Sequence, residues 1–171
     1  FALAMLEAHS LDDLLWSLVE TVAELLALDD CVLYLLEGEL LVQAAAHGVK
    51  NPTDRTIHDP IAIPLGQGIV GTVAARATGE VVADTRTDPR YISDQFEGAS
   101  EMAVPLLFQG SVLGVLDSEA EQPGRYTADD LALFQALANV AASRVAWLLS
   151  ERERAREEQV RTAHRMAALG K

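Results

Sequence analysis

The residues of this sequence that could do chemistry begin with a glycine-rich segment. Residues 66–71 read Gly-Gln-Gly-Ile-Val-Gly, which is the GxGxxG spacing of a dinucleotide-binding turn. That chemistry needs a long strand before the glycines and a long helix after them. Here the preceding apolar run is short and contains Pro64, and Gly79 ends the helical pattern after roughly two turns. We therefore interpret the glycines as a tight turn into a packed helix.

Histidine side chains could ligate a metal ion. His47, His58 and His164 fall at a predicted strand end, in a loop and on a solvent-facing helix. Because no His/Asp/Glu pair has ligand spacing on one element, we predict no metal site. Ser100 and Ser118 lack a nearby histidine that would activate a hydroxyl nucleophile.

Cys31 is the only cysteine of the sequence. An internal disulfide and a cysteine-based zinc site are therefore excluded, which fits a reducing compartment and predicts a cytoplasmic location. The thiol lies in an apolar run, residues 31–36, and this favours a buried, inert side chain over a reactive one.

A polar loop carries the remaining candidates, namely Asp84, Arg86, Asp88, Arg90 and Tyr91. Two carboxylates in a loop could act as a general acid and base. Asp-Pro and Asp-Thr-Arg steps are also common in turns, and we favour that interpretation. We therefore expect the chain to have no catalytic residue and not to be an enzyme.

The net charge of −13 narrows the choice of partners. Residues 151–171 carry six basic and four acidic side chains, so the acidic excess lies entirely in the rest of the chain. An acidic body repels phosphate backbones and anionic lipids, and we predict no nucleic-acid partner. No apolar stretch approaches the roughly 18 residues of a membrane span, so we also predict no membrane insertion.

The hydrophobic patterns along the chain predict an α+β fold with an antiparallel sheet. Ser10 resembles an N-cap, and apolar residues recur after it at helical spacing. Two hairpins joined through short helices then complete a sheet covered by helices. The predicted helices span residues 11–27, 69–76, 92–96 and 128–171, and the predicted strands span 31–36, 40–46, 61–65 and 80–83 and a hairpin starting at 101.

The last predicted helix is longer than a small domain is wide. Thr127 with Asp129 and Asp130 forms its cap, and nothing stops the helix before Gly170. Its apolar first half can pack on the sheet or on a second copy of the chain, and its polar second half has only a weak seam. We expect a homodimer through the terminal helices, with these dimer and signalling residues: Phe134, Leu137, Ala141, Val145, Leu148, Ala155 and Met166.

An ordered set of motifs resembles the GAF domain family. The segments that carry this resemblance are residues 63–74, 80–84, 88–91, 100–106, 114–119 and 126–130. The resemblance implies a sheet with the terminal helices on one face and a small-molecule pocket under short helices on the other. The pocket residues that we expect are Asp84, Tyr91, Ile92, Ser100, Met102, Val104 and Leu116.

A second resemblance concerns residues 165–171, Arg-Met-Ala-Ala-Leu-Gly-Lys. They are similar to the sequence before the phospho-accepting histidine of two-component sensor kinases. The chain starts without Met and reads as helix from its first residue, so we expect a fragment with a kinase domain following in the same polypeptide. The expected organisation is an incoming linker helix at 1–10, a sensor domain at 11–149 and a signalling helix at 150–171.

The sequence thus predicts a signal-input domain that relays a change in its pocket to a downstream histidine kinase. Two alternatives stay open. One is an enzyme like the methionine sulfoxide reductases, although the resemblance implies a set of redox cysteines and this chain has one. The other is a structural dimerisation module with a filled, dry core in place of the pocket. The sequence names no cofactor and does not identify the ligand.

Overall fold

The chain folds around one six-stranded antiparallel sheet. The computed structural model describes residues 1–50, 55–93 and 97–170. The strands are β1 (Cys31–Glu37), β2 (Leu40–His47), β3 (Ala62–Pro64), β4 (Glu80–Val82), β5 (Ser100–Phe108) and β6 (Ser111–Ala120). Their order across the sheet is β3-β2-β1-β6-β5-β4. The predicted α+β class and both hairpins are confirmed.

The α-helices are α1 (Ala2–Glu7), α2 (Leu11–Leu26), α3 (Gly68–Arg76) and α4 (Ala128–Leu169), and a 3₁₀ turn spans Thr85–Thr87. Both predicted N-caps form. Ser10 Oγ accepts a hydrogen bond from the backbone N–H of Asp13, and Thr127 makes a reciprocal capping box with Asp130. Of the helix predicted at 92–96, Ile92 and Ser93 are not helical, and the rest lies outside the described residues.

The two faces of the sheet form two separate cores. Helices α1, α2 and α4 cover one face, the helix side, where residues such as Leu14, Leu33, Met102 and Phe134 are buried. Helix α3 covers the other face, the α3 side, with a smaller set that includes Val73. Because both faces are covered, β5 is buried over most of its length and shows little of the alternation that would mark one inner face.

Helix α4 first packs on the sheet and then leaves it. Its 42 residues extend about 63 Å, and every described residue from 153 to 170 is exposed. Contrary to the expectation from the sequence, α4 contains a stretch that is long and apolar enough to cross a membrane by length and composition alone. Burial of Phe134, Ala138 and Val145 in the core of the domain accounts for part of this apolar character.

Four of the predicted dimer residues need correction. Phe134, Ala141, Val145 and Leu148 are buried in the helix-side core of their own chain, so this structure leaves them no surface for a second copy. Leu137 is half-buried against the same core, whereas Ala155 and Met166 are exposed. The expected seam therefore belongs partly to the core, because the same helical spacing serves both kinds of packing.

Candidate functional site

A group of buried carboxylates lies on the α3 side of the sheet. Glu101 of β5 and Asp117 and Glu119 of β6 are each at most 4% exposed. The strand register sets Glu101 directly opposite Glu119, and Asp117 opposite Ala103. Their side chains therefore share one face, where like charges in cross-strand pairs repel. Such a group is retained inside a protein only with a compensating cation or with bound protons.

Lys50 supplies the cation. Its side chain is 2% exposed, its Nζ donates a hydrogen bond to Glu119 Oε2, and it lies 3.8 Å from Asp30 Oδ2. Gly48 makes this placement feasible, because its φ is +92° and a Cβ there would lie 2.2 Å from the carbonyl oxygen of Asp29. The chain thus passes close beside residues 29–30 and brings Lys50 to the carboxylates.

The electrostatics of this group differ from those of a surface ion pair. Burial, together with the neighbouring carboxylates, raises the pKa of Glu101 and of Asp117 well above their ordinary values. Burial alone would lower the pKa of Lys50. The negative charges of Asp117, Asp30 and Glu119 have a larger effect in the opposite direction, so the pKa of Lys50 is raised. Lys50 therefore stays charged, while the Glu101–Asp117 pair retains a proton at pH values where exposed carboxyls have lost theirs.

These groups border a cavity of about 30 Å³, which we call the inner cavity. This volume holds one or two water molecules. Asp117 Oδ1 is buried and has no hydrogen-bond partner among the described residues. Such an atom costs free energy unless a bound molecule satisfies it. The complete lining is Tyr34, Lys50, Ile63, Gly68, Ile69, Val70, Ile92, Glu101, Asp117 and Glu119.

Lys50 also borders a second, larger space of about 160 Å³, which we call the outer cavity. The outer cavity is lined by Gln43 of β2 and by residues of the segment that leads to β3, including His58 and Asp59. Lys50 is therefore a lining residue of both cavities.

The expected pocket residues divide between the two faces. Met102, Val104 and Leu116 are buried in the helix-side core, and none of them lines the inner cavity. Ser100 is buried as well, and its hydroxyl donates to the carbonyl oxygen of Gln122. The expectation that these four residues line the pocket is therefore corrected. The residues that face the cavity are their neighbours in sequence, because successive side chains of a strand point to opposite faces.

The remaining three expected residues lie in the segment between β4 and β5. Ile92 lines the inner cavity. Tyr91 packs against the α3-side core, and its hydroxyl accepts a hydrogen bond from the backbone N–H of Gly98. Asp84 caps the 3₁₀ turn and pairs with Arg86. Asp84 therefore has a structural role in its turn.

The sequence analysis did not name Glu101, Asp117, Glu119 or Lys50 as site residues. A signal for the three carboxylates was available, because charged residues within otherwise apolar strand runs are unusual. Lys50 gave no comparable signal, since it lies in a polar loop and contacts a carboxylate 69 positions away in sequence.

Cys31 lies away from the inner cavity. Its side chain belongs to the helix-side core, and burial together with nearby Asp30 and Asp117 raises the pKa of the thiol. The described part of the chain contains no group of three His, Cys, Asp or Glu side chains placed to hold a metal ion.

Comparison with known proteins identifies the fold family. The GAF domain family model matches residues 10–145. The chain is 32% identical over 97 residues to the free methionine-R-sulfoxide reductase of Escherichia coli, a match that spans 57% of this chain and 54% of the enzyme. Matches to curated relatives span 40 to 54% of the relatives' own lengths.

Solved structures agree on the fold. The GAF domain of an Acinetobacter phosphoenolpyruvate-protein phosphotransferase superposes with a TM-score of 0.77 at 23% identity, covering 87% of this chain and 90% of that one. The free methionine-R-sulfoxide reductase of Neisseria meningitidis, in complex with its substrate, gives 0.75 at 24% identity, covering 88% and 86%. At these identities the likeness concerns the fold alone.

These comparisons correct one expectation from the sequence. We expected a chain that is not an enzyme, yet enzymes occur among both its curated relatives and its structural neighbours. Phosphotransferase GAF domains and a GAF sensor protein occur among the structural neighbours too. Since the family model covers most of its length, the chain belongs to the GAF domain family.

Proposed function

We propose that this chain is a ligand-binding, signal-input GAF domain whose inner cavity takes a small polar molecule. One observation carries the proposal: Asp117 Oδ1 is buried beside Glu101, Glu119 and Lys50 at a cavity and lacks a hydrogen-bond partner among the described residues. Groups held in this way cost stability, and binding sites are where proteins retain them. The polar wall also argues against the structural alternative of a filled, dry core.

The chemistry of the cavity indicates the kind of molecule. Ionised carboxylates accept hydrogen bonds from a cation, and a protonated carboxyl of the Glu101–Asp117 pair donates one to an oxygen. The first turn of α3, Gly68 to Val70, borders the same space, and N–H groups of a first helical turn favour negative charge. Free methionine sulfoxide carries all three features: an ammonium, a sulfoxide oxygen and a carboxylate. It is therefore the first ligand to test.

Because the inner cavity is small, a ligand can bind there only if the structure around it changes. A volume of about 30 Å³ is too small for an amino acid, so side chains must move when a ligand enters. Glu101 and Asp117 face the cavity, while Met102 and Leu116, next to them in the same strands, face the helix-side core. Gln135 of α4 also donates to the carbonyl oxygen of Pro105 in β5 at 3.0 Å. A displacement of β5 and β6 is thereby passed to α4.

A second copy of the chain is the proposed dimer partner. Leu133, Val140 and Trp147 are about half exposed and recur every seven residues, so they share one face of α4. Ala155 and Met166 lie on the part of α4 beyond the body of the domain. They are eleven residues apart and so share a face with each other, about 80° around a straight helix from Trp147. A small change in how two such helices pack is the proposed output signal.

Crosslinking tests the dimer. In a Cys31→Ser background, Trp147→Cys should form a disulfide between subunits under mild oxidation. Arg156→Cys, exposed nine residues further on and so on the opposite side of the same helix, is the matched control and should not. Equal crosslinking at both positions, or none at 147, would contradict the proposed dimer.

The proposed recipient of the signal is a histidine kinase module in the same polypeptide. The similarity of residues 165–171 to the sequence before a phospho-accepting histidine supports this choice. A fusion of the chain to a kinase core that lacks its own sensor should show autophosphorylation that changes with ligand. Insertion of two residues after Ala155 would rotate the output by about 200° and should abolish that response. A cytoplasmic location follows from this role and is part of the proposal.

Calorimetry with free methionine-R-sulfoxide tests the binding. We expect a 1:1 complex with the wild type and at least tenfold weaker binding by Asp117→Asn, which keeps the shape but removes the carboxylate. Asp84→Asn, at the surface turn, is the matched control and should bind like the wild type. Equal affinity of all three proteins, or no binding to the wild type, would refute the proposed site.

A second candidate function is reduction of that sulfoxide, and the reductases among the relatives favour it. Reduction removes the sulfoxide oxygen as water and needs two electrons, which an added dithiol can supply by closing to a disulfide. The assay measures methionine formed with dithiothreitol present. Turnover that disappears in Cys31→Ser would establish this candidate, whereas a ligand recovered unchanged would establish binding without reduction.

A further inference from the structure

Lys50 occupies an unusual position in the described part of the chain. It lines both the inner and the outer cavity. It pairs with Glu119 and Asp30 at the polar end of the inner cavity. A side chain of the protein thus places a positive charge beside the carboxylates of the inner cavity.

We propose that the Lys50 ammonium holds the place of a ligand's own ammonium group, and that the site selects small primary amines or amino-acid zwitterions, which displace Lys50 towards the outer cavity. This inference rests on the proposed ligand-binding function and specifies its ligand class. It makes Lys50 a residue that sets both affinity and specificity.

The contacts of Lys50 explain why a free ammonium could replace it. An ammonium has three N–H donors. Lys50 is tethered to the backbone and contacts Glu119 and Asp30, while Asp117 Oδ1 is left without a hydrogen-bond partner in the described part of the chain. An untethered ammonium is not restricted in this way and can direct an N–H to Asp117 Oδ1 as well. A ligand therefore gains a hydrogen bond to an atom that has none in this structure.

Charge balance supports the same ligand class. A neutral ligand that pushed Lys50 aside would leave buried carboxylates without a cation, which is strongly unfavourable. A cationic group replaces the lost charge at the moment of exchange. The outer cavity, at about 160 Å³, has room for the lysine side chain and is lined by the exposed carboxylate of Asp59. Both ammonium groups then have acidic neighbours.

The first experiment removes the lysine and supplies its missing part. Lys50→Ala lacks three methylenes and the ammonium, which together correspond to n-propylammonium. Added n-propylammonium should raise the melting midpoint of Lys50→Ala by several degrees at saturating concentration, and neutral n-propanol should not. The amine should stabilise the wild type much less than Lys50→Ala, because it must first displace Lys50, and the alcohol should not stabilise the wild type at all. If Lys50→Ala does not fold alone, recovery of folding with n-propylammonium is the equivalent positive result. Equal effects of the amine and the alcohol, or no effect of the amine, would overturn the proposal.

The second experiment measures competition directly. If Lys50 fills the site in most molecules, only the small fraction with a vacant site can bind the ligand. Removal of Lys50 then raises the apparent affinity for the ligand by the inverse of that fraction. Lys50→Met should therefore bind free methionine-R-sulfoxide at least tenfold more tightly than the wild type, and N-acetylmethionine sulfoxide, which lacks the ammonium, should bind neither protein. Weaker binding by Lys50→Met would mean that Lys50 holds the ligand, and equal binding would mean that Lys50 does not compete with it. Either result would overturn the proposal.

Arg55→Ala controls for the change in net charge. Arg55 is a partly exposed cation that pairs with Glu20 and does not line either cavity. This variant should leave the affinity for the sulfoxide unchanged. The two proposals fail in different ways. A wild type and a Lys50→Met variant that both ignore methionine sulfoxide would refute the proposed ligand, whereas rescue of Lys50→Ala by n-propylammonium would still support the role of Lys50.

Discussion

The two faces of the central sheet use the same strands for different purposes. On the helix side, Met102, Val104 and Leu116 pack with Phe134 in an apolar core. On the α3 side, the residues next to them in sequence include Glu101 and Asp117, which are just as deeply buried. Burial of apolar side chains stabilises the fold, whereas burial of charges costs stability. The contrast supports the proposal that one face maintains the structure while the other binds a ligand.

This comparison also bears on thiol chemistry. Cys31 lies on the apolar side of the sheet with a raised pKa, and the polar cavity lies on the other side. A reductase reaction at the inner cavity would therefore need Cys31 to become accessible. Native Cys31 should react with a thiol reagent far more slowly than the unfolded chain does, and fast reaction in the native state would remove this objection to the enzymatic candidate.

The largest expected effect comes from the apolar face. Phe134→Ala creates a cavity in the helix-side core and should lower the free energy of unfolding by about 3–5 kcal/mol, measured by urea denaturation. Leu25→Ala, at an exposed position of α2, is the matched control and should cost less than about 1 kcal/mol. A loss below about 1 kcal/mol for Phe134→Ala would break the assignment of this face to stability.

The next effect concerns the cation on the binding face. Lys50→Met leaves Glu119 and its neighbours without their partner and should lower the free energy of unfolding by about 3 kcal/mol near neutral pH. The loss should shrink as the pH is lowered, because protonated carboxyls no longer need a cation. A loss that stays constant between mildly acidic and neutral pH would show that Lys50 stabilises by packing alone.

Asp117→Asn should change stability in the opposite sense. The folded-state pKa of Asp117 lies above its unfolded value, so its contribution is fully present below the unfolded pKa and is lost as the pH rises through the folded pKa. Asparagine does not ionise. The variant should therefore gain stability relative to the wild type with rising pH, by about 1.4 kcal/mol for each unit of the pKa difference. Denaturation at several pH values measures this, and a difference independent of pH would contradict the buried charge.

The smallest expected effect on stability comes from a surface carboxylate, Asp130, and its pH dependence is opposite to that of Asp117. Asp130 accepts hydrogen bonds from the backbone N–H and the hydroxyl of Thr127, and these contacts lower its pKa. Its contribution is present above the unfolded pKa and is lost as the pH falls through the folded pKa. Asp130→Ala should cost about 1 kcal/mol at neutral pH and less in acid. A pH dependence with the same sign as that of Asp117→Asn would erase the distinction between the two environments.

Several expectations from the sequence were confirmed because they rest on local chemistry. Ser10 and Thr127 cap their helices as their neighbours in sequence predict. The turn at Gly66 leads into a short packed helix that ends before Gly79. In each case the residues that decide the structure lie within a few positions of one another.

The pocket residues could not be predicted in the same way. With β5 buried on both faces, its apolar residues run almost continuously and do not alternate with polar ones. Among these apolar residues, nothing local distinguishes Met102 and Val104 from the positions that face the cavity, and Glu101 is the one charged residue of β5 that marks the other face. Four of the predicted dimer residues on α4 lie in the core for a related reason, since one apolar stripe can face a core or a partner.

By itself, the sequence determined the order of helices and strands, their caps and the length of α4, since these depend on periodicity and on contacts within a turn. Only the tertiary structure decided that Glu101 faces Glu119 across two strands, and that Lys50 reaches them from a loop 69 positions before Glu119. Strand register and loop placement depend on contacts between distant residues. The charged cavity exists only where those contacts bring the chain together.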